Sequence, residues 1–358
     1  MTKGRLQALI GAALTLLLLG WTLRDVDPAE LLARLRAADP LLLLGSVVAA
    51  TAIFPLRAAR WIVLLEPIAP GLRFRTAWHA TAIGMMVNNL VPARAGEFAR
   101  AFALARTEPR VSFASAFASI ALDRVFDALV VFALMSGAML DPAFPRGAQV
   151  AGRDVSSLLG SLGIVVIAVA FAGALLLALR PALFESIVTR VVGAVAPRFA
   201  PRVAALVHQA AEGFASLRSP SRLARVLAWT VVHWLCNALA FWLGFRAVGI
   251  EAPFSAALFL QGLIAVGVAI PSSPGFFGPF EAFAKEGLRL YGVGTALAVT
   301  WAVAFHLLSF VPITLLGALY FARMGLSLSD VRNGRADDAS GDDDAPASPI
   351  AVTATPRA

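Results

Sequence analysis

The sequence predicts an all-α polytopic membrane protein. The expectation is about six full transmembrane helices plus two broken or re-entrant helical hairpins in an inverted repeat, eight or more hydrophobic helices in all. Composition comes first: of 358 residues, 59% are hydrophobic and 15% charged, with mean hydropathy +0.78. A soluble domain carries about 45–50% apolar and about 25% charged residues, so this excess would leave large apolar patches in water. Second, the apolar residues fall in long runs almost free of charge. Third, the net charge of +8 comes from 30 cations, 28 of them Arg, set largely between those runs. That is the pattern of a topology signal rather than of a nucleic-acid groove. The same composition excludes disordered and collagen-like chains, and the single Cys236 excludes an intrachain disulfide or a Cys-rich zinc site.

A helix crossing the hydrocarbon core needs roughly 20 apolar residues. Leu6–Leu23 follows Lys3 and Arg5, and the next residues, Arg24-Asp25-Val26-Asp27, offer no small-residue cleavage site, so the run reads as a retained anchor. Pro40 to about Leu65 is the second span, with Arg57 and Arg60 near its far end, where long side chains can snorkel. Ala114–Leu140 is equally long but contains Asp123, Arg124 and Asp127. Leu158–Leu179, Val226–Phe245 and Leu290–Ala322 complete the six. Residues 180–225 alternate Arg with apolar stretches and suit a cytoplasmic amphipathic segment lying on anionic lipid. Residues 327–358, with Asp337, Asp338, Asp342, Asp343 and Asp344 among small polar residues, read as a disordered tail behind an integral membrane domain at 1–326.

Two apolar runs do not fit a plain span. Thr76–Val91 has 16 residues before Pro92, about 24 Å of helix against a core of about 30 Å. Ala252–Phe280 is uncharged but broken by Pro271, Pro274, Gly275, Gly278 and Pro279. If both are re-entrant, the connecting segments alternate sides, and 21 cations collect on one side against 8 on the other. Positive loops stay in the cytoplasm, which places both termini there. A double crossing at each site would preserve that sidedness, so charge leaves eight or ten short spans open beside six spans plus two hairpins.

The two odd runs resemble each other. Each is followed by Pro-x-x-x-Gly, Pro92 to Gly96 and Pro271 to Gly275, offset by 179 positions, and then by a long span. The repeat cores are about 76–140 and 255–322. Inverted repeats with broken helices near the midplane mark transporters, although Pro and Gly also recur in ordinary membrane helices.

Asn88, Asn89, Arg94, Gly96, Glu97 and Arg100 cluster at the first break. Unwound backbone in a membrane is tolerated only where it is buried in protein or lines a watery cavity. A helix beginning near Glu97 would offer free amides to an anion, and Arg94 a bidentate phosphate donor; the plainer reading is a set of interfacial charges with Glu97 as a cap. Asp123 and Asp127 lie four apart on one helical face beside Arg124. The three charges fit substrate or proton handling, or a structural ion pair, such as Arg124 with Asp127 or with Glu97, or an aspartate with Arg94. At the second break stand Ser272, Ser273 and Gly275, then Glu281, which is also spaced for a helix-surface pair with Lys285. His306 lies mid-span, more naturally a packing hydrogen-bonder than a ligand; His79, His233, Trp61 and Trp234 read as packing or interfacial residues.

No Walker loop, His-Glu-x-x-His, Gly-x-Ser-x-Gly or metal-ligand cluster is present, so neither an enzyme class nor a cofactor is indicated. Asn88-Asn89-Leu90-Val91-Pro92-Ala93-Arg94-Ala95-Gly96-Glu97-Phe98-Ala99-Arg100, then Asp123-Arg124-Val125-Phe126-Asp127, then Pro271-Ser272-Ser273-Pro274-Gly275-Phe276-Phe277-Gly278 with Glu281, occur in order. Together they resemble the flippase-like family named after the transmembrane region of lysylphosphatidylglycerol synthase, the multiple peptide resistance factor, over roughly residues 5–325. That family often has Glu where this chain has Asp123. The resemblance implies a bacterial inner-membrane protein that moves a phospholipid or polyprenyl-phosphate-type lipid between leaflets. It further implies membrane lipids with an anionic headgroup as partners and no nucleic acid. An intramembrane enzyme using Glu97 and Asp123 as acid and base, or a scaffold for a lipid- or glycan-synthesis partner, stays open beside it. With no soluble aminoacyl-transferase domain expected after Arg323, lysyl-lipid synthesis is not anticipated.

Overall fold

The computed structural model describes residues 27–91, 95–145, 147, 149–150, 153–154, 180–195, 214–269 and 274–324, with scattered positions at 17–22 and 168–179. Ten helices lie among the described residues: α1 Pro28–Arg36, α2 Pro40–Leu65, α3 Phe74–Leu90, α4 Gly96–Thr107, α5 Phe113–Ala138, α6 Pro181–Val195, α7 Pro220–Ala247, α8 Phe254–Ala269, α9 Pro279–Leu290 and α10 Thr295–Arg323. The strands described are a two-residue ladder, β1 Gln149–Val150 with β2 Arg153–Asp154. The expected spans Leu6–Leu23 and Leu158–Leu179 fall largely outside the described residues, and the tail 327–358 does so entirely.

Local chemistry sets the helix starts. Asp39 accepts from the amides of Leu41 and Leu42 with Pro40 in the first turn, and Ser112 accepts from Ser115. Ser219 stands before Pro220 in the same manner. A side-chain oxygen ahead of a helix satisfies amides that have no partner in the first turn, and proline there lacks the amide that would go unpaired.

α2, α7 and α10, at 26, 28 and 29 residues, are long and apolar enough to cross a membrane. α5 matches α2 in length at 26 residues but carries the three charges Asp123, Arg124 and Asp127. The expected last span from Leu290 is corrected: α9 ends at Leu290, the chain turns at Gly292 with φ +75°, and α10 starts only at Thr295. That positive φ is a conformation glycine adopts without steric cost and a helix interior does not contain.

Two ends of the bundle are fixed by contacts. At one, Glu66 beyond α2 pairs with Arg225 at the start of α7, and Arg110 donates to the Pro70 carbonyl at 2.9 Å. Arg75 near the start of α3 and Thr107 at the end of α4 line one cavity there with Arg323 of α10. At the other end, the Asp39 amide donates to the Ala247 carbonyl at 2.8 Å. The ring of Phe144, beyond α5, meets Phe259 of α8 at 5.2 Å and Tyr291, beyond α9, at 6.1 Å. α3 with α4 is therefore a helical hairpin with both outer ends at the first end, and α8 with α9 is one with both at the opposite end. α2, α5, α7 and α10 run from end to end.

Helix order and packing recur along the chain. Lengths of 26, 17, 12 and 26 residues in α2–α5 are followed by 28, 16, 12 and 29 in α7–α10. The second set starts 180, 180, 183 and 182 positions after the first. α2 packs along α7, while each hairpin crosses over: α3 packs on α10 and α8 on α5. The buried apolar residues follow the same division. One cluster, including Trp61, Leu64, Ile83, Leu104 and Phe126, sits around α2–α5, and another, including Phe241, Phe245, Phe280, Trp301 and Phe305, lies between α7 and α10.

The first hairpin closes through glycine. A Cβ on Gly84 would stand 2.7 Å from Arg100 Cβ and 2.8 Å from the Gly96 carbonyl oxygen, closer than real Cβ atoms approach. Small residues at helix crossings let backbones approach, the main source of packing energy in lipid. Gly84→Val should therefore destabilise the protein by about 1–3 kcal/mol through overpacking, read as a lowered thermal midpoint in detergent. Gly137→Val, where an added Cβ meets nothing within 4 Å, serves as the control.

A buried charge cluster as the candidate functional site

α5 carries Asp123 and Asp127 one turn apart, with fractional exposures of 0% and 6%. Burying two carboxylates without partners costs many kcal/mol, so cations must come from other helices. They come from α2 and α4. Arg60 Nη2 pairs with Asp123 Oδ1 at 2.5 Å, and Arg60 Nη1 donates to Asp127 Oδ1 at 2.7 Å and to Thr230 Oγ1 at 3.1 Å. Arg57 Nη2 donates to Asp127 Oδ2 at 3.1 Å, and Trp234 Nε1 to Asp127 Oδ1 at 3.0 Å. Arg100 Nη1 reaches Asp123 Oδ2 at 3.4 Å, while its guanidinium lies 4.0 Å from the centre of the Trp61 ring. That indole donates to Ser119 at 2.8 Å, which fixes the plane on which Arg100 stacks.

Arg124 joins the cluster from its rim. It pairs with Asp123 at 3.4 Å, with Asp127 at 3.3 Å and with Glu97 at 3.7 Å. Its side chain is 35% exposed and that of Glu97 20%, so the cluster opens here, beside the first break. Among the described residues, four guanidiniums, on Arg57, Arg60, Arg100 and Arg124, face three carboxylates, which leaves one net positive charge. Arg100 Nε and Nη2 and Arg57 Nε meet no hydrogen-bond acceptor among the described residues. Counted along the helices, Asp123 and Asp127 lie about 15 and 21 Å from the arginine-rich end of α5.

These contacts correct the sequence reading of α2. Arg57 and Arg60 do not snorkel to an interface; they are buried at 8% and 0% exposure and turn inward to α5. The physical reason is that two buried carboxylates outbid solvent for them. Trp234 is likewise a hydrogen-bond donor to Asp127 rather than a packing or interfacial residue. His233 packs as expected, with Nδ1 3.0 Å from the Ile53 carbonyl oxygen. Nothing local in the sequence marks Arg57, Arg60 or Trp234 as partners of α5; the signal available was that three charges in α5 demand more cations than Arg124 supplies.

The first break is stapled by its own side chains. The Gly96 amide donates to Asn88 Oδ1 at 2.8 Å, tying the start of α4 to the end of α3, and Asn89 Nδ2 donates to Thr314 Oγ1 of α10 at 2.7 Å. Arg94 lies outside the described residues, as do Ser272 and Ser273 of the second break.

The second break is built differently. Gly275 at φ +70° and Gly278 at φ +92° turn the chain into α9, conformations that favour glycine. Glu281 Oε2 accepts from the Gly278 amide at 2.7 Å, and Glu281 Oε1 lies 2.5 Å from His306 Nδ1. His306 Nε2 is 2.8 Å from the Gly275 carbonyl oxygen, and the ring stacks on Phe277 with centres 4.3 Å apart. The Gly275 carbonyl only accepts, so Nε2 is the donor in that contact. The expected surface pair of Glu281 with Lys285 is corrected, since both residues are buried, at 1% and 5% exposure. α3 also packs against the 274–276 turn, which brings the two breaks into one neighbourhood.

With this geometry in place, comparison with known proteins is informative. Residues 8–317 match the sequence model of the family described as lysylphosphatidylglycerol synthase TM region. Among curated proteins, the chain is 25% identical over 322 residues to the "UPF0104 membrane protein" of Methanothermobacter thermautotrophicus, covering 85% of this chain and 92% of that one. It is 31% identical over 159 residues to "Glycosyltransferase AglD" of Haloferax volcanii, covering 44% of this chain and 24% of that protein, so the chain spans about a quarter of that relative's length.

Asp123→Ala removes the carboxylate shared by Arg60, Arg100 and Arg124. The expected loss is about 3–5 kcal/mol of stability, the cost of buried charge left without its partner. Thermal unfolding in detergent checks this, and Asp123→Glu should retain most of the lost stability.

Proposed function

This chain belongs to the lysylphosphatidylglycerol synthase transmembrane-region family, and on that premise we propose that it is a lipid translocator. In this reading it passes the anionic headgroup of a phospholipid or polyprenyl phosphate along the charge cluster while the acyl chains stay in lipid. The observation that carries the reading is the buried excess of one guanidinium, opening at Arg124 and Glu97 beside an interrupted hairpin. A membrane-embedded charge is expensive and is retained where a polar species must pass. Spare guanidinium donors in a low-dielectric setting bind phosphate oxygens strongly, and Arg94, next to the opening in sequence, adds another.

The rest of the bundle is compatible with that role. α3–α4 and α8–α9 act as re-entrant hairpins from opposite leaflets, the two halves being an inverted repeat of four helices each. The end that holds Arg73, Arg75, Arg106, Arg110, Arg218, Arg222, Arg225 and Arg323 faces the cytoplasm, by the rule that short cationic loops stay inside. Asn88, Gly96 and Asn89 hold the first break open to the headgroup. Glu281 and His306 brace the second break through the Gly278 amide and the Gly275 carbonyl.

A second reading is favoured by one finding, the similarity to a glycosyltransferase: a membrane module that serves group transfer to a lipid. The two readings differ in product. A translocator changes only the leaflet of the lipid, whereas group transfer changes its mass.

The test is reconstitution into vesicles, with the leaflet of a fluorescent phospholipid or polyprenyl phosphate read by external quenching and its mass read in parallel. Wild-type protein should equilibrate the leaflets with no change of mass. Arg94→Gln should slow equilibration at least about tenfold, one ionic contact's worth, with the thermal midpoint preserved, and Arg124→Gln should slow it likewise while lowering the midpoint, since three carboxylates lose a shared partner. Wild-type vesicles that move none of these lipids would overturn the proposal.

A further inference from the structure

A second cationic site stands apart from the buried cluster. At the arginine-rich end, a cavity of about 300 Å³ is lined by Arg75, Thr76 and His79 of α3, Ala103 and Thr107 of α4, and Arg323 with Met324 at the end of α10. No carboxylate lines it, and neither Arg75 nor Arg323 has an ion-pair partner among the described residues. Arg73 and Arg106 at the same end share this but lie outside the lining, whereas other cations there are paired. Arg110 is held by Glu108 at 2.7 Å, and Arg225 and Arg222 by Glu66.

One wall is rigid. The His79 ring stacks on Tyr320 with centres 4.1 Å apart, and the Tyr320 hydroxyl accepts from Trp78 Nε1 at 3.1 Å. The Thr107 hydroxyl is spent on the carbonyls of Ala103 and Leu104, which leaves Arg75, Arg323, His79 and Thr76 as the groups able to meet a ligand. On α3, Arg75 and His79 are four apart and so share a face.

We propose that this cavity binds the phosphate of an anionic headgroup at the membrane–water boundary, where lipids wait before entering the charge cluster. Two guanidiniums without carboxylate partners, a hydroxyl and an imidazole on a fixed ring wall suit a phosphate monoester or diester. The lining mixes the polar Arg75, Thr76, His79 and Arg323 with the apolar Ala80, Ala103 and Met324, groups that suit a lipid headgroup and the start of its chains. The role as a waiting site rests on the translocator reading; the binding of phosphate does not.

The full chain in detergent is titrated with dihexanoyl phosphatidic acid, with dihexanoyl phosphatidylcholine and with inorganic phosphate, following the thermal midpoint and calorimetric binding. Phosphatidic acid should bind, and the Arg75→Gln/Arg323→Gln double variant should bind it at least tenfold more weakly at an unchanged unliganded midpoint. Arg106→Gln, an exposed cation at the same end outside the lining, should leave affinity unaltered. Displacement of the lipid by inorganic phosphate supports phosphate as the recognised group; phosphatidylcholine binding as tightly as phosphatidic acid counts against an anion site. Should the double variant fail to fold, Thr76→Glu, which sets a carboxylate beside both guanidiniums, must weaken binding in the same way. Undiminished binding in the folded variants overturns the site. Wild-type protein that binds the lipid and moves none overturns the translocator reading and leaves the site standing.

Discussion

Two carboxylates one turn apart on α5, both buried, constrain everything around them. Asp123 and Asp127 together accept from or pair with groups on α2, α4, α7 and α5 itself. In lipid there is little hydrophobic drive to bring helices together, so specific polar contacts and close packing decide which helices are neighbours. Arg57 and Arg60 hold α2 against α5, Arg100 holds the returning arm of the first hairpin, and Trp234 and Thr230 bring in α7. The long seam between α2 and α7 thus has a charged anchor, to which Ser46 on the Ala240 carbonyl and His233 on the Ile53 carbonyl add neutral polar contacts.

The interrupted hairpins raise a second constraint, since backbone groups freed at a break within apolar surroundings must find partners. The two breaks meet it with different chemistry. Asn88 accepts from the Gly96 amide, a neutral contact that leaves the adjoining guanidiniums available. Glu281 accepts from the Gly278 amide and holds His306, which in turn reaches the Gly275 carbonyl, a chain that locks the second break. Helix lengths and packing recur in the two halves, yet charge does not: among the described residues the guanidiniums gather beside the first break, and a carboxylate–imidazole pair sits at the second.

The long runs, the two breaks and the spacing of Asp123 and Asp127 were legible because each is a property of adjacent residues. Chain length against helix rise limits what can span, Pro and Gly interrupt locally, and a four-residue spacing sets one helical face. The first hairpin followed Thr76–Val91 closely, as α3 at Phe74–Leu90, because Pro92 ends it in either view. The residues that went unread are those whose role is assigned by a partner far away in sequence. Arg57 and Arg60 near the end of an apolar run look like snorkelling cations until α5 stands beside them, with Asp127 70 and 67 positions on. Glu281, which the sequence offered both as a site residue and as half of a surface pair with Lys285, is buried with His306 against it.

By itself, then, the sequence determined a membrane-embedded helical chain, where it is interrupted, and that α5 carries charge in need of partners, since hydropathy, helix rise and proline sterics act over short stretches of chain. Only the tertiary structure decided which cations neutralise that charge, that one guanidinium is left in excess, and that both ends of each hairpin share one end of the bundle. Those outcomes depend on which helices pack together, and in a low-dielectric interior that choice is made by pairing charges across the whole fold rather than along the chain.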